Sequence, residues 1–392
     1  MRRTPLFTAT EARTTAILGV IAMLNSIIHG DCLEVLMTLE DNSVDSIVTD
    51  PPYELGFMGK SWDSTGIAYK VELWQECLRV LKPGGHLLAF GGTRTYHRMT
   101  CAIEDAGFEI RDCIQWLYGS GFPKSLDISK AIDKQFGAER EKVRIPASKV
   151  RNPKSINGGH GIEGGDRPWM RAALEKGFHE MDGNIPVTPE AKQWEGWGTC
   201  LKPANEPIVL ARKPISEKTI AENVMKWGTG GLNIDGCRIG TEEIKTHGKR
   251  KGEGVSLEWS KYTSPEGYEG GIHQGRFPAN VILDEEAAQL LDEQSGGSIS
   301  RFFYCAKASK NERGEGNNHP TVKPTKLIEY LVTLITPPNG IVLDPFIGSG
   351  TTAIASLNTG RSFIGIELNE GYVEIARRRV ASHSTQQELK FA

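Results

Sequence analysis

An acidic, proline-rich tetrapeptide in the first quarter of the chain has the side chains needed to bind an amine. It is Asp50-Pro51-Pro52-Tyr53, and it follows a run rich in β-branched residues, which predicts a strand over 44–49. Because prolines cannot continue a central strand, the strand ends there and the tetrapeptide faces outward.

The chemistry of these four residues suits the activation of a weakly nucleophilic exocyclic amine. Asp50 can accept one N–H, and a carbonyl of Pro51 or Pro52 can accept the other. The two acceptors would localise the nitrogen lone pair, and the carboxylate would stabilise positive charge that develops on the nitrogen. Tyr53 offers a ring face for stacking. The alternative is a turn in which Asp50 is a local cap and Tyr53 packs against the core.

A glycine-rich turn near the other end of the chain is a second candidate site. Residues 341–343 predict a strand that leads into Asp344-Pro345-Phe346-Ile347-Gly348-Ser349-Gly350-Thr351-Thr352. Such a strand-to-helix turn lets a ligand approach the backbone and directs helix N–H groups at it. The pattern is neither G-x-G-x-x-G nor a P-loop, which disfavours a dinucleotide or a triphosphate. Glu367 ends the next predicted strand, where an acidic residue can hold two ribose hydroxyls or be a solvated strand end.

Predicted strands alternate with predicted helices around both candidate sites, which indicates an α/β fold with a parallel sheet. Two further strands are predicted, one over 109–117 and an apolar one near 206–214. The second is expected to return to the sheet and pair with the first, so that the chain between them is an insertion. The predicted helices are 70–81, 95–106, 325–336, 353–357 and one that ends near 379, and the other predicted strands are 86–90 and 362–366.

Together the two sites resemble the DNA amino-methyltransferases in their permuted, β-class order, in which the catalytic motif precedes the cofactor loop. His319-Pro320-Thr321-Val322-Lys323-Pro324 is similar to the motif upstream of that loop, and Gly30-Asp31 to the turn that holds the cofactor's adenine. The resemblance implies S-adenosylmethionine as the cofactor, with Asp31 at the adenine amine and Glu367 at the ribose. It implies for the methionine end the residues Thr321, Lys323, Asp344, Phe346, Gly348, Gly350, Thr351 and Thr352.

The same resemblance implies a doubly wound, Rossmann-like sheet that is circularly permuted. Residues 25–118 and 302–381 would join to form it, with 1–24 as an extension and 382–392 as a tail. Residues 119–301 would be a large irregular insertion for target recognition, divisible at the returning strand into 119–203 and 218–301. This region is rich in glycine and aromatic residues. At its start, Arg140–Lys154 carries six basic residues against one acid, a candidate phosphate contact.

The implied activity is methyl transfer to adenine N6 in DNA, by base flipping and direct in-line transfer. Asp50 at the first position of its motif favours adenine over cytosine N4, which is the alternative. Further alternatives are an RNA or protein-amide methyltransferase and an inactive DNA-recognition subunit. Double-stranded DNA is the implied partner, with a homodimer and a cognate restriction enzyme as further partners of the family type.

Net charge, cysteine spacing and hydrophobicity limit the classes of protein to which this chain can belong. The chain has 392 residues and a net charge of −3, so a polyanion must be met by a local patch of positive charge. Its seven cysteines include no C-x-x-C pair, which predicts a reduced, cytoplasmic protein without structural zinc. The apolar run at 16–24 is too short to span a bilayer and lacks a cleavage site, so no membrane partner is expected.

Overall fold

The computed structural model describes residues 23–56, 61–121, 125–146, 175–245, 271–306, 317, 319 and 322–391. The chain divides into two units. The first comprises Met1–Tyr118, Asn205–Ser309 and Pro324–Ala392, and the second comprises Gly119–Ala204 and Lys310–Lys323. No helix in the described ranges is both long and apolar enough to cross a membrane.

The first unit is built on a large mixed sheet. The strands of its described part lie in the order β1-β13-β12-β2-β3-β7-β4-β10-β11, and only β7 runs antiparallel to its neighbours. These strands are β1 Ser26–His29, β2 Val44–Thr49, β3 Leu81–Phe90, β4 Glu109–Leu117, β7 Asn205–Arg212, β10 Val281–Asp284, β11 Tyr304–Ala306, β12 Ile341–Asp344 and β13 Ser362–Glu367.

Helices cover both faces of this sheet. They are α1 Cys32–Leu36, α2 Val71–Val80, α3 Tyr96–Asp105, α6 Ile220–Trp227, α7 Glu285–Ser295, α8 Thr325–Ile335, α9 Thr351–Asn358 and α10 Glu370–Phe391. Successive residues of a strand point to opposite faces. Accordingly Ile47 packs in one apolar cluster with α2, and Val48 packs in the other with α8. The predicted doubly wound α/β fold is confirmed.

Most of the predicted elements are confirmed. The predicted helix 70–81 and strand 86–90 correspond to α2 and β3, but β3 begins at Leu81 and includes the segment between them, where Gly84 has φ +79° and the register with β2 shifts. Helix α10 continues beyond 379 to Phe391. Strands β10 and β11 were not predicted, because runs of four and three residues are too short to carry a periodic signal. The unit that contains the sheet includes Asn205–Ser309. Of the predicted insertion 119–301, therefore, only 119–204 belongs to the other unit.

The second unit contains α4 Ile128–Gln135, a hairpin of β5 Lys142–Pro146 with β6 Phe178–Asp182, and α5 Pro189–Gln193.

A further hairpin, β8 Ile239–Lys245 with β9 Ile272–Arg276, belongs to the first unit. The expected pairing of the returning strand is confirmed, since β7 lies between β3 and β4.

Candidate active site

The predicted site residues of the first unit lie at the carboxyl ends of four neighbouring parallel strands. Asp50 follows β2, Asp344 ends β12, Glu367 ends β13, and Asp31 comes two residues after β1. The strands pair directly, with Leu343 opposite Ile47 in one pair and His29 opposite Glu367 in another. Two segments almost 300 residues apart therefore form one edge of the sheet, where open α/β proteins bind ligands.

Asp344 links the two halves of this edge. Its Oδ1 accepts a hydrogen bond from the Thr49 hydroxyl at 2.7 Å and another from the Phe346 N–H at 3.0 Å. Thr49 directly precedes Asp50, so this bond ties the Asp50–Tyr53 turn to the glycine loop. Burial raises the pKa of Asp344 to about 7, against the opposing effect of hydrogen bonds from Thr352, Thr49 and Phe346. The negative charge of Asp50 raises it further.

The Asp50–Tyr53 turn is held by residues that follow it in the chain. The Thr95 hydroxyl donates to the Tyr53 carbonyl at 2.7 Å. The buried Asp63 carboxylate accepts from the N–H groups of Glu54 and Leu55, at 3.0 and 3.2 Å. Glu54 adopts φ +56°, a left-handed conformation that a non-glycine residue rarely keeps without such support.

The Tyr53 side chain is half-buried and bound at its hydroxyl. That hydroxyl donates to Oε2 of Glu206 at 2.7 Å. Burial raises the pKa of Tyr53 well above its usual value, and the charges of Asp50 and Glu206 raise it further. The phenol is therefore neutral at physiological pH and available as a donor.

The glycine loop is fixed by its backbone and by α10. Gly348 and Gly350 have φ of +52° and +86°, conformations that favour glycine. A Cβ on Gly350 would also lie 3.1 Å from the Cβ of Ala376, so a side chain there would push α10 away. From the same helix, Arg379 donates to the Ser349 carbonyl at 2.5 Å and to its hydroxyl at 2.9 Å.

Two carboxylates flank the loop. Glu367 accepts from the Gly348 N–H at 3.1 Å on one oxygen and from the Asn369 N–H at 2.8 Å on the other. Burial raises the pKa of Glu367, and these backbone donors oppose the shift. Asp31 is the N-cap of α1 and accepts from the N–H groups of Leu33 and Glu34.

This set of groups fits a ligand that carries a carboxylate and a ribose. Gly350 is the N-cap of helix α9 and has no side chain to cap the first turn, which leaves N–H donors for an anion. Glu367 is oriented by two N–H groups and retains lone pairs for hydroxyl donors. Asp344, Thr351 and Thr352 are buried, whereas Asp31 and Glu367 are half-buried.

Two predicted residues are not brought to this site by the described structure. Thr321 lies outside the described residues. Lys323 is described but belongs to the second unit. Their contacts with the cofactor stay predictions.

Sequence reasoning missed Glu206, Asp63, Thr95 and Arg379. A sequence signal existed for Glu206, because a strand that returns antiparallel must begin at the carboxyl edge of its parallel neighbours. The other three act through side-chain contacts with loops, which strand and helix periodicity does not encode.

The candidate phosphate contact at Arg140 is wrong. Its side chain is 5% exposed, and it donates to Asp133 at 2.7 Å and also to Ser129. Arg144, 70% exposed at its side chain, pairs with Glu180 across the β5–β6 hairpin at 2.9 Å. Lys149, Arg151 and Lys154 lie outside the described residues.

Comparisons with known proteins agree with the geometry. The model of a family described as DNA methylase, named for N6 and N4 methyltransferases, matches residues 44–378. The Type II methyltransferase M.HindIII of Haemophilus influenzae is 24% identical, over 91% of this chain and 96% of its own. The DNA adenine methyltransferase YhdJ of Escherichia coli is 25% identical, over 93% and 86%. Among solved structures, the M1.HpyAVI–SAM complex is 19% identical, covers 91% of this chain and 98% of its own, and gives a TM-score of 0.40.

Proposed function

The chain belongs to the N6/N4 DNA methylase family, and on that premise we propose that it methylates the N6 amine of adenine in double-stranded DNA. The observation that carries the proposal is the hydrogen bond from Thr49 to Asp344. It joins the end of β2, which precedes the amine-binding turn Asp50–Tyr53, to the end of β12, which precedes the glycine loop, and so supports a single site that includes both.

S-adenosylmethionine is the cofactor that this family chemistry requires, and it supplies a methyl group on a positively charged sulfur. Its carboxylate suits the first turn of α9, and its ribose hydroxyls suit Glu367. Asp31 has its Oδ1 engaged by α1, and we assign its carboxylate to the adenine amine. The buried Asp344 holds the start of the glycine loop, because its carboxylate accepts the Phe346 N–H.

The amine-binding turn carries the chemistry. Asp50 accepts one N–H of the target amine, and the carbonyl of Pro51 or Pro52 accepts the other. This pair orients the nitrogen lone pair toward the methyl group and stabilises the positive charge that forms on the nitrogen. The base reaches this turn by leaving the helix stack, which costs a few kcal/mol, and it stacks on Tyr53.

Adenine is favoured over cytosine on two grounds. Asp50 occupies the first position of the motif, where the resemblance associates aspartate with adenine. YhdJ, a relative that aligns over 93% of this chain, is described as an adenine methyltransferase. Cytosine N4 is the second candidate, because its amine needs the same two acceptors.

A role in restriction and modification follows from the Type II methyltransferase relatives, and we propose the cytoplasm as the place of action, where cellular DNA is methylated. A cognate restriction enzyme and a homodimer are the partners that such a role suggests.

The test is to incubate the protein with S-adenosylmethionine and unmethylated genomic DNA, digest the DNA to nucleosides, and separate these by mass spectrometry. We expect N6-methyladenine with the wild-type chain and at least about a 100-fold loss with Asp50→Ala, since a preorganised acceptor is removed. Asp105→Ala, an exposed carboxylate at the end of α3, is the matched control and should keep wild-type activity.

Each other outcome would change the proposal in a defined way. N4-methylcytosine would overturn the choice of base and keep the site. Full activity of Asp50→Ala would refute the amine-binding turn. A wild-type chain that binds the cofactor and methylates RNA or a protein amide in place of DNA would refute the DNA substrate.

A further inference from the structure

Glu206 lies at the carboxyl edge of the sheet because β7 runs against its neighbours. Its backbone is held between two strands: Trp116 of β4 is its register partner, and the next residue, Pro207, accepts a hydrogen bond from Gly91 at 2.9 Å. A carboxylate on such a central strand has a fixed origin, in contrast to one on a loop.

Tyr53 is restrained at both ends of the residue. Its carbonyl accepts from Thr95, its ring packs against the apolar cluster that contains Val48 and Phe90, and its hydroxyl donates to Glu206. A ring that is to serve as a stacking surface gains from a fixed orientation, since ordering it during binding would reduce affinity for the base.

The phenol has one O–H donor, and this donor is directed to Glu206 at 2.7 Å. Burial and the charges of Asp50 and Glu206 raise the pKa of Tyr53 well above its usual value. The phenol therefore keeps its proton, and the O–H is available to Glu206 throughout the physiological pH range.

We propose that Glu206 is a positioning residue for base methylation: it accepts the Tyr53 hydroxyl and thereby fixes the stacking ring. The proposal rests on the proposed function of the Asp50–Tyr53 turn. Nothing in it requires Glu206 to touch the base or the cofactor.

The role needs an acceptor at position 206 and does not need a charge. Glu206→Gln keeps a carbonyl acceptor, so we expect kcat within about threefold of wild type. Glu206→Ala removes the acceptor, and we expect kcat to fall about tenfold or more, with the KM for S-adenosylmethionine unchanged. The matched control is Glu109→Gln, a carboxylate paired with Arg212 at the opposite end of the same two strands, which should leave kcat and KM at wild-type values.

The deciding experiment is a double-mutant cycle between Glu206→Ala and Tyr53→Phe, measured by single-turnover methylation of duplex DNA. If Glu206 acts through the Tyr53 hydroxyl, Glu206→Ala should change the rate less than twofold in the Tyr53→Phe background. An equal loss in both backgrounds would overturn the proposal, because Glu206 would then act without the hydroxyl.

Base flipping gives a readout that is independent of methyl transfer. With 2-aminopurine in place of the target adenine, the fluorescence rise on binding should be smaller for Glu206→Ala than for Glu206→Gln. Equal signals for wild type, Gln and Ala would contradict a role in holding the stacking ring.

Folding and function are separated by two further measurements. Wild-type S-adenosylmethionine affinity of Glu206→Ala, by titration calorimetry, establishes that the variant is folded. Tyr53→Phe removes the same hydrogen bond without a change in β7, so wild-type kcat and flipping signal in that variant would overturn the proposal even if Glu206→Ala did not fold. If the wild-type chain methylates no DNA, the proposed function itself has failed.

Discussion

At the scale of single residues, the site depends on a buried carboxyl group that does not itself perform the chemistry. Asp344 is 2% exposed, and its bonds to Thr49 and Phe346 hold two strand ends together. The family resemblance implies that Asp344 lies beside the cofactor. In the structure Asp344 holds the loop that would bind the methionine end of that cofactor.

Asp344 predicts a pH dependence of stability. Its folded pKa of about 7 lies above the unfolded value of 3.8, so the folded state holds the proton more tightly. The free energy of unfolding that this group contributes is therefore greatest below pH 4, falls as pH rises toward 7, and is constant above. Three pKa units correspond to about 4 kcal/mol at most.

The measurement is urea denaturation of wild type and Asp344→Asn at several pH values. We expect the stability of wild type relative to the variant to decrease between pH 4 and pH 7, because an asparagine does not titrate. A difference that is constant over this range would contradict the raised pKa.

At the scale of elements, α10 supports the cofactor loop from outside the sheet. Gly350 allows the helix to approach, and Arg379 binds Ser349 through its carbonyl and hydroxyl. Helix α10 therefore holds the loop that is expected to bind the cofactor, although the helix itself is not part of the sheet.

Arg379→Ala should weaken S-adenosylmethionine binding about tenfold, because the loop loses a charge-assisted restraint. Arg378→Ala, an exposed arginine one position earlier, is the matched control and should bind like wild type. Titration calorimetry measures both. Equal affinities for the two variants would show that the loop is held by its backbone alone.

The sequence predicts elements where one local signal dominates. Strand β2 is rich in β-branched residues and precedes Asp50, whereas β12 and β13 are largely apolar and end at acidic residues; the structure confirms all three within one or two residues. Strands β10 and β11 could not be predicted, since β10 is defined by its pairing with β4, and β11 by its pairing with β10, rather than by their own residues. Helix periodicity in the sequence also stops near 379, whereas α10 continues to Phe391.

Part of the site could be read from spacing and part could not. Asp50 directly follows β2, Glu367 ends β13, and Gly348 lies in the loop that follows β12, so their positions at strand ends were predictable. Glu206 and Arg379 reach the site from elements that are distant in sequence, and only the three-dimensional arrangement pairs them with Tyr53 and Ser349.

At the scale of the whole molecule, one residue of the predicted basic run does not contribute to the surface charge. Arg140 is inside the second unit, bound to Asp133, and hydrogen bonds from Thr188, Val187 and Arg140 hold the pKa of Asp133 well below its usual range. The charge of Arg140 is thus used within the unit.

Arg140→Ala should therefore act on folding. We expect a lower urea midpoint and faster proteolysis within residues 119–204, because Asp133 would keep its charge without its cation. The slope of DNA affinity against salt concentration should not change, since no phosphate contact is lost. A reduced slope with an unchanged urea midpoint would contradict the buried pairing; Lys134→Ala, an exposed lysine of α4, is the control for the urea midpoint.

The pairing of β1 with β13 and of β2 with β12 has a consequence for how the protein is made. During synthesis the amine-binding turn leaves the ribosome early, but the strand that flanks it at Asp344 is translated almost 300 residues later. Chains are synthesised from the amino end at a finite rate, and contacts of long sequence separation form late. A nascent chain that has not yet reached residue 344 thus contains the whole amine-binding turn but no cofactor loop, so we expect methylating capacity only after β12 and β13 have been translated.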